Sequence, residues 1–256
     1  LCGSDATDWY VDKKAPTVLG HEPAGVVVEV GEGCSLEPGQ RVFFHHHVSC
    51  GECHYCARGF DTNCSLFRSS KLDPGGFAER VRVPKENVEL DTLVLPEGVD
   101  FEAATFIEPL ACSLRAIDKL ELRAGESVWV IGLGAMGLMN AALAKHYGAG
   151  LVVATELDPG RRDPDPCWGV DHVLDPTHEN FPAALRELTS GRGPDHVIVG
   201  PSSKVAIQQA SELVAPGGRV CLFSPVSPDK EISLPLNRFY FGEITLVSSY
   251  SCGGGE

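Results

Sequence analysis

Four cysteines within fifteen residues, Cys50, Cys53, Cys56 and Cys64, form a C-x2-C-x2-C-x7-C series. Zinc holds thiolates in a tetrahedron, and four of them close the shell with no position left for a substrate. The expected ion is therefore structural, with two disulfides or free thiols as the alternatives. It would hold together a loop with too few apolar residues to fold by burial alone. A second set, Cys2, His21 and Glu22, offers a thiolate, an imidazole and a carboxylate, donor types that suit zinc. His45, His46 and His47 invite a metal reading too. Successive side chains on a strand point to opposite faces, so the three cannot all reach one ion, and they read as structural or cleft-lining.

A different chemistry is written into residues 127–156, SVWVIGLGAMGLMNAALAKHYGAGLVVATE. An apolar run at 128–131 reads as a buried strand, turns through Gly132, Gly134 and Gly137, and continues at helical spacing. The first two glycines allow a tight turn and a close backbone approach to a pyrophosphate; the third lets helix and strand pack closely. Phosphates would sit on the free N–H groups of the helix N-terminus. A second strand at 151–154 leads to Glu156, nineteen residues past Gly137, where a carboxylate can accept bonds from an adenosine ribose. A glycine-rich turn alone is weak; strand, turn, helix, second strand and acid together specify a dinucleotide-binding unit.

The elements around these residues suggest two domains, 1–119 and 120–256. In the first, strands are expected at 25–30, 41–44 and 79–83. From Asp100 the pattern turns helical, and Pro109 places Glu108 at a break between two helices. Glu108 lies among Phe106, Ile107, Leu110 and Ala111, where a carboxylate is costly unless paired or bound to metal. In the second domain, further strands are expected at 171–174, 196–199, 219–223 and 244–248, alternating with helices such as 183–188 and 204–213. Six strands alternating with helices make a doubly wound parallel sheet, an α/β fold that binds its ligand at the carboxyl ends of the strands.

The chain carries 21 basic and 35 acidic residues, a formal charge of −14, which argues against nucleic acid and anionic membranes as partners. Nothing resembles an export signal or a membrane span, so a soluble, cytoplasmic protein is expected. Ten cysteines in such a setting point to metal binding in a reducing compartment. Leu1 opens the chain without methionine and Gly253, Gly254, Gly255 and Glu256 close it just past an apolar run, so both domains are expected to be truncated.

The segments Cys2-Gly3-Ser4-Asp5, Gly20-His21-Glu22, Pro38-Gly39-Gln40-Arg41-Val42 and the four-cysteine loop together resemble the medium-chain dehydrogenase/reductase family, whose zinc members oxidise alcohols with a nicotinamide cofactor. Gln40 stands where the family usually has aspartate. The resemblance runs the full length and implies a GroES-like β-rich catalytic domain followed by a Rossmann domain. Glu108-Pro109-Leu110 is similar to the polyol branch, which includes sorbitol dehydrogenase; Cys112 is not taken as a ligand.

Carried over residue by residue, Cys2 and His21 resemble the first two ligands of a catalytic zinc. Glu22 and Glu108 resemble the carboxylates that ligate the metal or hold its water. Ser4 matches the hydroxyl that relays the alcohol proton, and Asp5 the carboxylate that orients the ligand histidine. Thr7 departs from the pattern, since many members have a histidine there, and a shorter relay through Ser4, a ribose hydroxyl and water is expected. Arg161 falls where the family often places an arginine beside the adenine, while Pro164 and Pro166 should shorten the helix that usually follows Glu156.

The resemblance thus implies two zinc ions, one catalytic and one structural, and NAD rather than NADP, because Glu156 would repel a 2′-phosphate. Arg161 and Arg162 keep NADP in view. The substrate would be a small secondary alcohol, polyol, sugar alcohol or hydroxy amino acid. A homodimer or homotetramer is implied, with the apolar edge strand at 244–248 inviting a second subunit. Cys2 lies one residue from the chain end, where fraying is expected, so the 256-residue chain should hold the catalytic metal poorly. Two rivals stand beside this reading: a non-catalytic NAD-binding protein of the same fold, and a zinc-free reductase of the same superfamily.

Overall fold

The computed structural model describes all 256 residues. The chain divides into two compact units, residues 1–111 with 251–256, and residues 112–250. Against the expected division at 119/120, the boundary falls inside a helix. The reason is packing: Ala116, Ile117 and Leu120 of that helix belong to the core of the second unit.

The first unit holds helix α1 (Asp8–Lys14), strands β1 (Ala24–Val26) and β2 (Arg41–Phe44), helices α2 (Ser65–Ser69) and α3 (Lys85–Leu90), strand β3 (Thr92–Val94) and helix α4 (Phe101–Ala104). The three strands form an antiparallel sheet in the order β1-β2-β3. Alternation along β2 sorts its side chains. Val42 and Phe44 pack with Leu72, Val81 and Val83, whereas Phe43 packs with Leu95 and Ala104.

Two sequence expectations change here. The strand expected at 25–30 is only three residues long, and residues 79–83 form no strand. Val81 and Val83 do turn inward as their alternation requires, but the backbone pairs only through the Asp73–Arg82 bridge. Burial pattern and ladder formation are separate demands, and the sequence reports only the first. β3 was not anticipated, being too short for its alternation to register.

Asp100 caps α4, accepting from the Ala103 N–H at 2.6 Å. Helix α5 (Ile107–Leu120) follows. The break therefore comes at residues 105–106, just before Glu108, and Pro109 sits in the first turn of α5, where no backbone N–H is required of it.

In the second unit α5 leads into strand β4 (Ser127–Ile131), helix α6 (Ala135–His146), strands β5 (Leu151–Thr155) and β6 (His172–Leu174), helix α7 (Phe181–Leu188), strand β7 (His196–Val199), helix α8 (Lys204–Leu213), strand β8 (Arg219–Leu222), helix α9 (Leu236–Phe241) and strand β9 (Thr245–Ser248). The six strands are parallel in the order β6-β5-β4-β7-β8-β9. That is the doubly wound arrangement, with its switch point between β4 and β7.

Successive residues of each strand serve opposite faces. Val128, Val130, Val152, Ile198 and Cys221 pack with α5 and α6, while Trp129, Ile131, Val153, Val197, Val199 and Val220 pack with α7 and α8. A parallel sheet covered on both sides needs such uninterrupted apolar runs. The link from β5 to β6 contains no α-helix. Two short turns of 3-10 helix stand there, Pro159–Arg161 and Pro166–Trp168, as proline at 164 and 166 requires.

Candidate functional site

The sulfurs of Cys50, Cys53, Cys56 and Cys64 all lie within 4.8 Å of one another. Individual separations are 3.5 Å for Cys53–Cys56, 3.6 Å for Cys50–Cys64 and 4.0 Å for Cys50–Cys56. Zinc–sulfur bonds of about 2.3 Å in a tetrahedron put sulfurs about 3.8 Å apart, so the loop is already spaced for the ion, and no disulfide links any two of them. Cys64 caps α2. Burial opposes ionisation of its thiol, but the N–H groups of Cys50, Phe67 and Leu66 outweigh it and bring the pKa down to about 6, which favours the thiolate that zinc requires.

Cys2, His21 and Glu22 also converge, with ligand atoms within 4.8 Å of one another. Cys2 and Glu22 come from opposite sides of α1, and the short 3-10 turn Gly3–Ala6 carries Ser4 and Asp5 beside them. Burial would raise the Cys2 pKa, yet hydrogen bonds from His21 and Ser4 lower it overall. For His21, burial opposes the charge, but Cys2, Glu108 and Asp5 raise the pKa to about 9. Asp5 Oδ1 lies 3.4 Å from His21 Nδ1, which leaves the other ring nitrogen for Cys2 or a metal. Glu22 meets the terminal ammonium of Leu1 at 3.4 Å. Three donors of zinc-binding type with an oriented histidine fit a catalytic ion that keeps one open position.

Glu108, 5% exposed, falls in a neighbouring set with His45 and His46, its ligand atom within 4.8 Å of theirs. The rings of His21 and His46 are 5.0 Å apart, so the two sets adjoin. Glu108 is thus beside the Cys2, His21 and Glu22 group without being closed onto it. The histidine run behaves differently from the strand expectation. β2 ends at Phe44, the following residues bend, and face alternation stops applying.

The three histidines consequently have three environments. His45 Nδ1 pairs with Asp91 at 2.8 Å and its Nε2 lies 3.5 Å from the thiol of Cys252. Burial opposes its charge, but these partners hold its pKa up at about 10. His47 Nδ1 meets the Ser70 carbonyl at 2.5 Å, and burial brings it down to about 4 despite that bond. His46 is pushed well below its usual value by burial and by the neighbouring histidines, and its Nδ1 is buried with no hydrogen-bond partner. Thr7, in the place of the family's relay histidine, caps α1 and donates to the Gly3 carbonyl at 2.9 Å.

In the second unit the glycine turn joins β4 to α6. Gly132 has φ +90°, a conformation that disfavours side chains. A Cβ on Gly137 would overlap the carbonyl oxygen of Gly132. Gly134 opens α6, whose first N–H groups have no partner within the helix. This cradle fits a pyrophosphate.

Glu156 does more than the sequence suggested. Its carboxylate, 8% exposed, accepts from the N–H of Leu133 inside the turn at 2.7 Å and from that of Asp158 at 2.9 Å. Arg162, not anticipated as a structural part, donates to the carbonyls of Glu156 and Leu157 at 2.8 and 2.7 Å and pairs with Asp175 at 2.6 Å. Arg161 is exposed, lies 3.6 Å from Asp158, and has the atom nearest to any Cβ added at Gly134, at 3.9 Å.

Residues 1–92 match the alcohol dehydrogenase GroES-like domain, and residues 135–256 match the zinc-binding dehydrogenase domain. The chain is 34% identical over 246 residues to an L-threonine 3-dehydrogenase of Pyrococcus abyssi, covering 93% of this chain and 69% of the relative. It is also 34% identical over 256 residues to the L-galactonate-5-dehydrogenase of Escherichia coli, covering 97% and 72%. Among solved structures, a zinc-binding dehydrogenase from Sinorhizobium meliloti bound to NADP superposes with a TM-score of 0.87 at 26% identity, covering 98% of this chain and 74% of that one.

Proposed function

This chain belongs to the zinc-dependent medium-chain alcohol dehydrogenase family, and we propose that it oxidises a secondary alcohol with NAD, using one catalytic and one structural zinc. Membership among dehydrogenases speaks against the non-catalytic alternative, and the zinc-binding family match against the zinc-free one. The observation that carries the proposal is the convergence of Cys2, His21 and Glu22 with Asp5 on the far side of His21. Zinc held by these residues would supply a Lewis acid that lowers the pKa of the substrate hydroxyl, and a bound nicotinamide would supply the hydride acceptor.

The chain's own residues bind and orient. Asp5 fixes the His21 ring, Ser4 offers a hydroxyl next to Cys2 for the departing proton, and Glu22 and Glu108 supply negative charge that retains a divalent cation. Cys50, Cys53, Cys56 and Cys64 would hold the structural ion. Gly132, Gly134 and Gly137 admit the pyrophosphate, and Glu156 disfavours a 2′-phosphate on the ribose. The relatives named for threonine and galactonate suggest a hydroxy amino acid, polyol or sugar alcohol as substrate. A homodimer or homotetramer working in the cytoplasm accords with the reading; no helix is long and apolar enough to cross a membrane.

Turnover of a panel of secondary alcohols, polyols and threonine with NAD and with NADP, alongside zinc analysis, tests the proposal. Two zinc ions per full-length chain and a preference for NAD are expected. One zinc ion and no alcohol oxidation with either cofactor would overturn it. A preference for NADP would overturn the NAD assignment and point to the exposed Arg161 as the partner of a 2′-phosphate.

A further inference from the structure

We propose that Arg161 grips the pyrophosphate of the dinucleotide, and not its adenine, and so supplies the glycine turn with a cation that the turn itself lacks. This rests on the functional reading above and deepens it. The turn between β4 and α6 offers backbone N–H groups to a pyrophosphate, but one of them is already engaged. Leu133, between the first two glycines, donates its N–H to Glu156 at 2.7 Å. The same bond brings a carboxylate up to the turn, on a chain whose formal charge is −14. A cation close by offsets that charge when two phosphates arrive.

Two arginines follow on the loop after β5, and their surroundings differ. Arg162 donates to the carbonyls of Glu156 and Leu157 at 2.8 and 2.7 Å and pairs with Asp175 at 2.6 Å. Its guanidinium is committed to holding the loop. Arg161 is exposed, and its one charged partner is Asp158, 3.6 Å from Nε. An exposed pair of that kind contributes little and yields readily to a better anion.

The free end of Arg161 has a definite address. Its Nη1 lies 3.9 Å from the point where a Cβ on Gly134 would stand, and apart from the chain neighbours of Gly134 no other heavy atom comes within 4 Å of that point. Gly134 is the second glycine of the motif, the one whose missing side chain lets the backbone approach a pyrophosphate. The vacated space is therefore bordered by the start of α6 on one side and by a guanidinium on the other. A planar fork of N–H donors matches two phosphate oxygens at once. Because Arg162 anchors the backbone next to it, Arg161 gives up less freedom on binding than an arginine on a loose loop would.

The test is calorimetric titration of the zinc-loaded full chain with NAD and with NADP, read as Kd and not as turnover. Arg161→Ala should weaken both cofactors by a common factor of about 10–100, as expected for a lost hydrogen bond to a charged group. The thermal midpoint of the cofactor-free protein should not move, since Arg161 holds nothing but an exposed pair. Arg161→Lys should bind NAD within about threefold of wild type, because a phosphate accepts a point charge, whereas an ammonium does not replace a guanidinium stacked on a base. Three results would each overturn the assignment while leaving the dehydrogenase reading intact. They are NAD binding by Arg161→Ala within about fivefold of wild type, a loss confined to NADP, which places Arg161 at a 2′-phosphate, and an Arg161→Lys no better than Arg161→Ala, which places it against the adenine. A wild type that binds neither cofactor would remove both.

Discussion

Replacing Glu156 separates two roles that a dinucleotide-binding acid can have. If the carboxylate only met the cofactor, Glu156→Ala would leave the cofactor-free protein unchanged. The structure says otherwise, because both oxygens already accept backbone N–H groups, from Leu133 at 2.7 Å and Asp158 at 2.9 Å, at a residue only 8% exposed. Hydrogen bonds to a charged group contribute about 1.5–3 kcal/mol where no water can replace them.

Leu133 is buried and its N–H would be stranded, whereas Asp158 is exposed and its N–H can recover a water. Removing the carboxylate also removes the cost of burying it. A net loss of about 2–3 kcal/mol is expected, which at about 2–4 °C per kcal/mol for a domain of this size lowers the thermal midpoint by about 4–12 °C. Glu156→Gln retains one acceptor and should fall by about half as much. The assay is thermal unfolding of zinc-loaded protein without cofactor, followed by NAD titration. A midpoint for Glu156→Ala within about 1 °C of wild type would refute the clamp and return Glu156 to ribose binding alone.

Gly137→Ala gains about 1 kcal/mol of helix propensity but drives a Cβ into the Gly132 carbonyl oxygen, so NAD affinity should fall at least tenfold and stability by about 1–3 kcal/mol, read by cofactor titration and unfolding; Gly134→Ala, with nothing nearer than 3.9 Å, should unfold like wild type. Cys53→Ser should cost one zinc ion per chain and lower the midpoint, and metal analysis showing no change would sink the structural-zinc assignment. His47 has a folded pKa of about 4 against an ordinary 6.5, so its contribution is present above about pH 6.5 and lost as pH falls toward 4, a swing of about 3 kcal/mol. Denaturant midpoints of metal-stripped protein across that range should fall less in His47→Gln, and parallel curves would contradict the burial argument.

What could be read from the sequence was whatever short-range pattern specifies. The four cysteines lie within one loop, so their spacing alone brings the sulfurs together, and the glycine turn is set by residues that are neighbours in the chain. The strands of the parallel sheet were legible because burial on both faces demands unbroken apolar runs, as at 128–131 and 197–199. Residues 79–83 failed because alternation records which side chains turn inward and says nothing about whether a neighbouring strand is present to pair with the backbone.

The environment of the histidine run was illegible for a different reason. His45 is held by Asp91, 46 residues away, and by Cys252, 207 residues away, and neither partner lies in any motif. Once β2 ends at Phe44, the direction of each ring is decided by such distant partners and not by alternation. The same holds for Glu156, whose position in the chain announced a ribose acceptor while its bond to Leu133 depends on how the glycine turn folds back toward β5. Position in a motif fixes which chemistry a residue can offer; what already occupies its hydrogen-bonding atoms fixes how much of that chemistry remains for a ligand. By that criterion Glu156 arrives at the cofactor partly engaged.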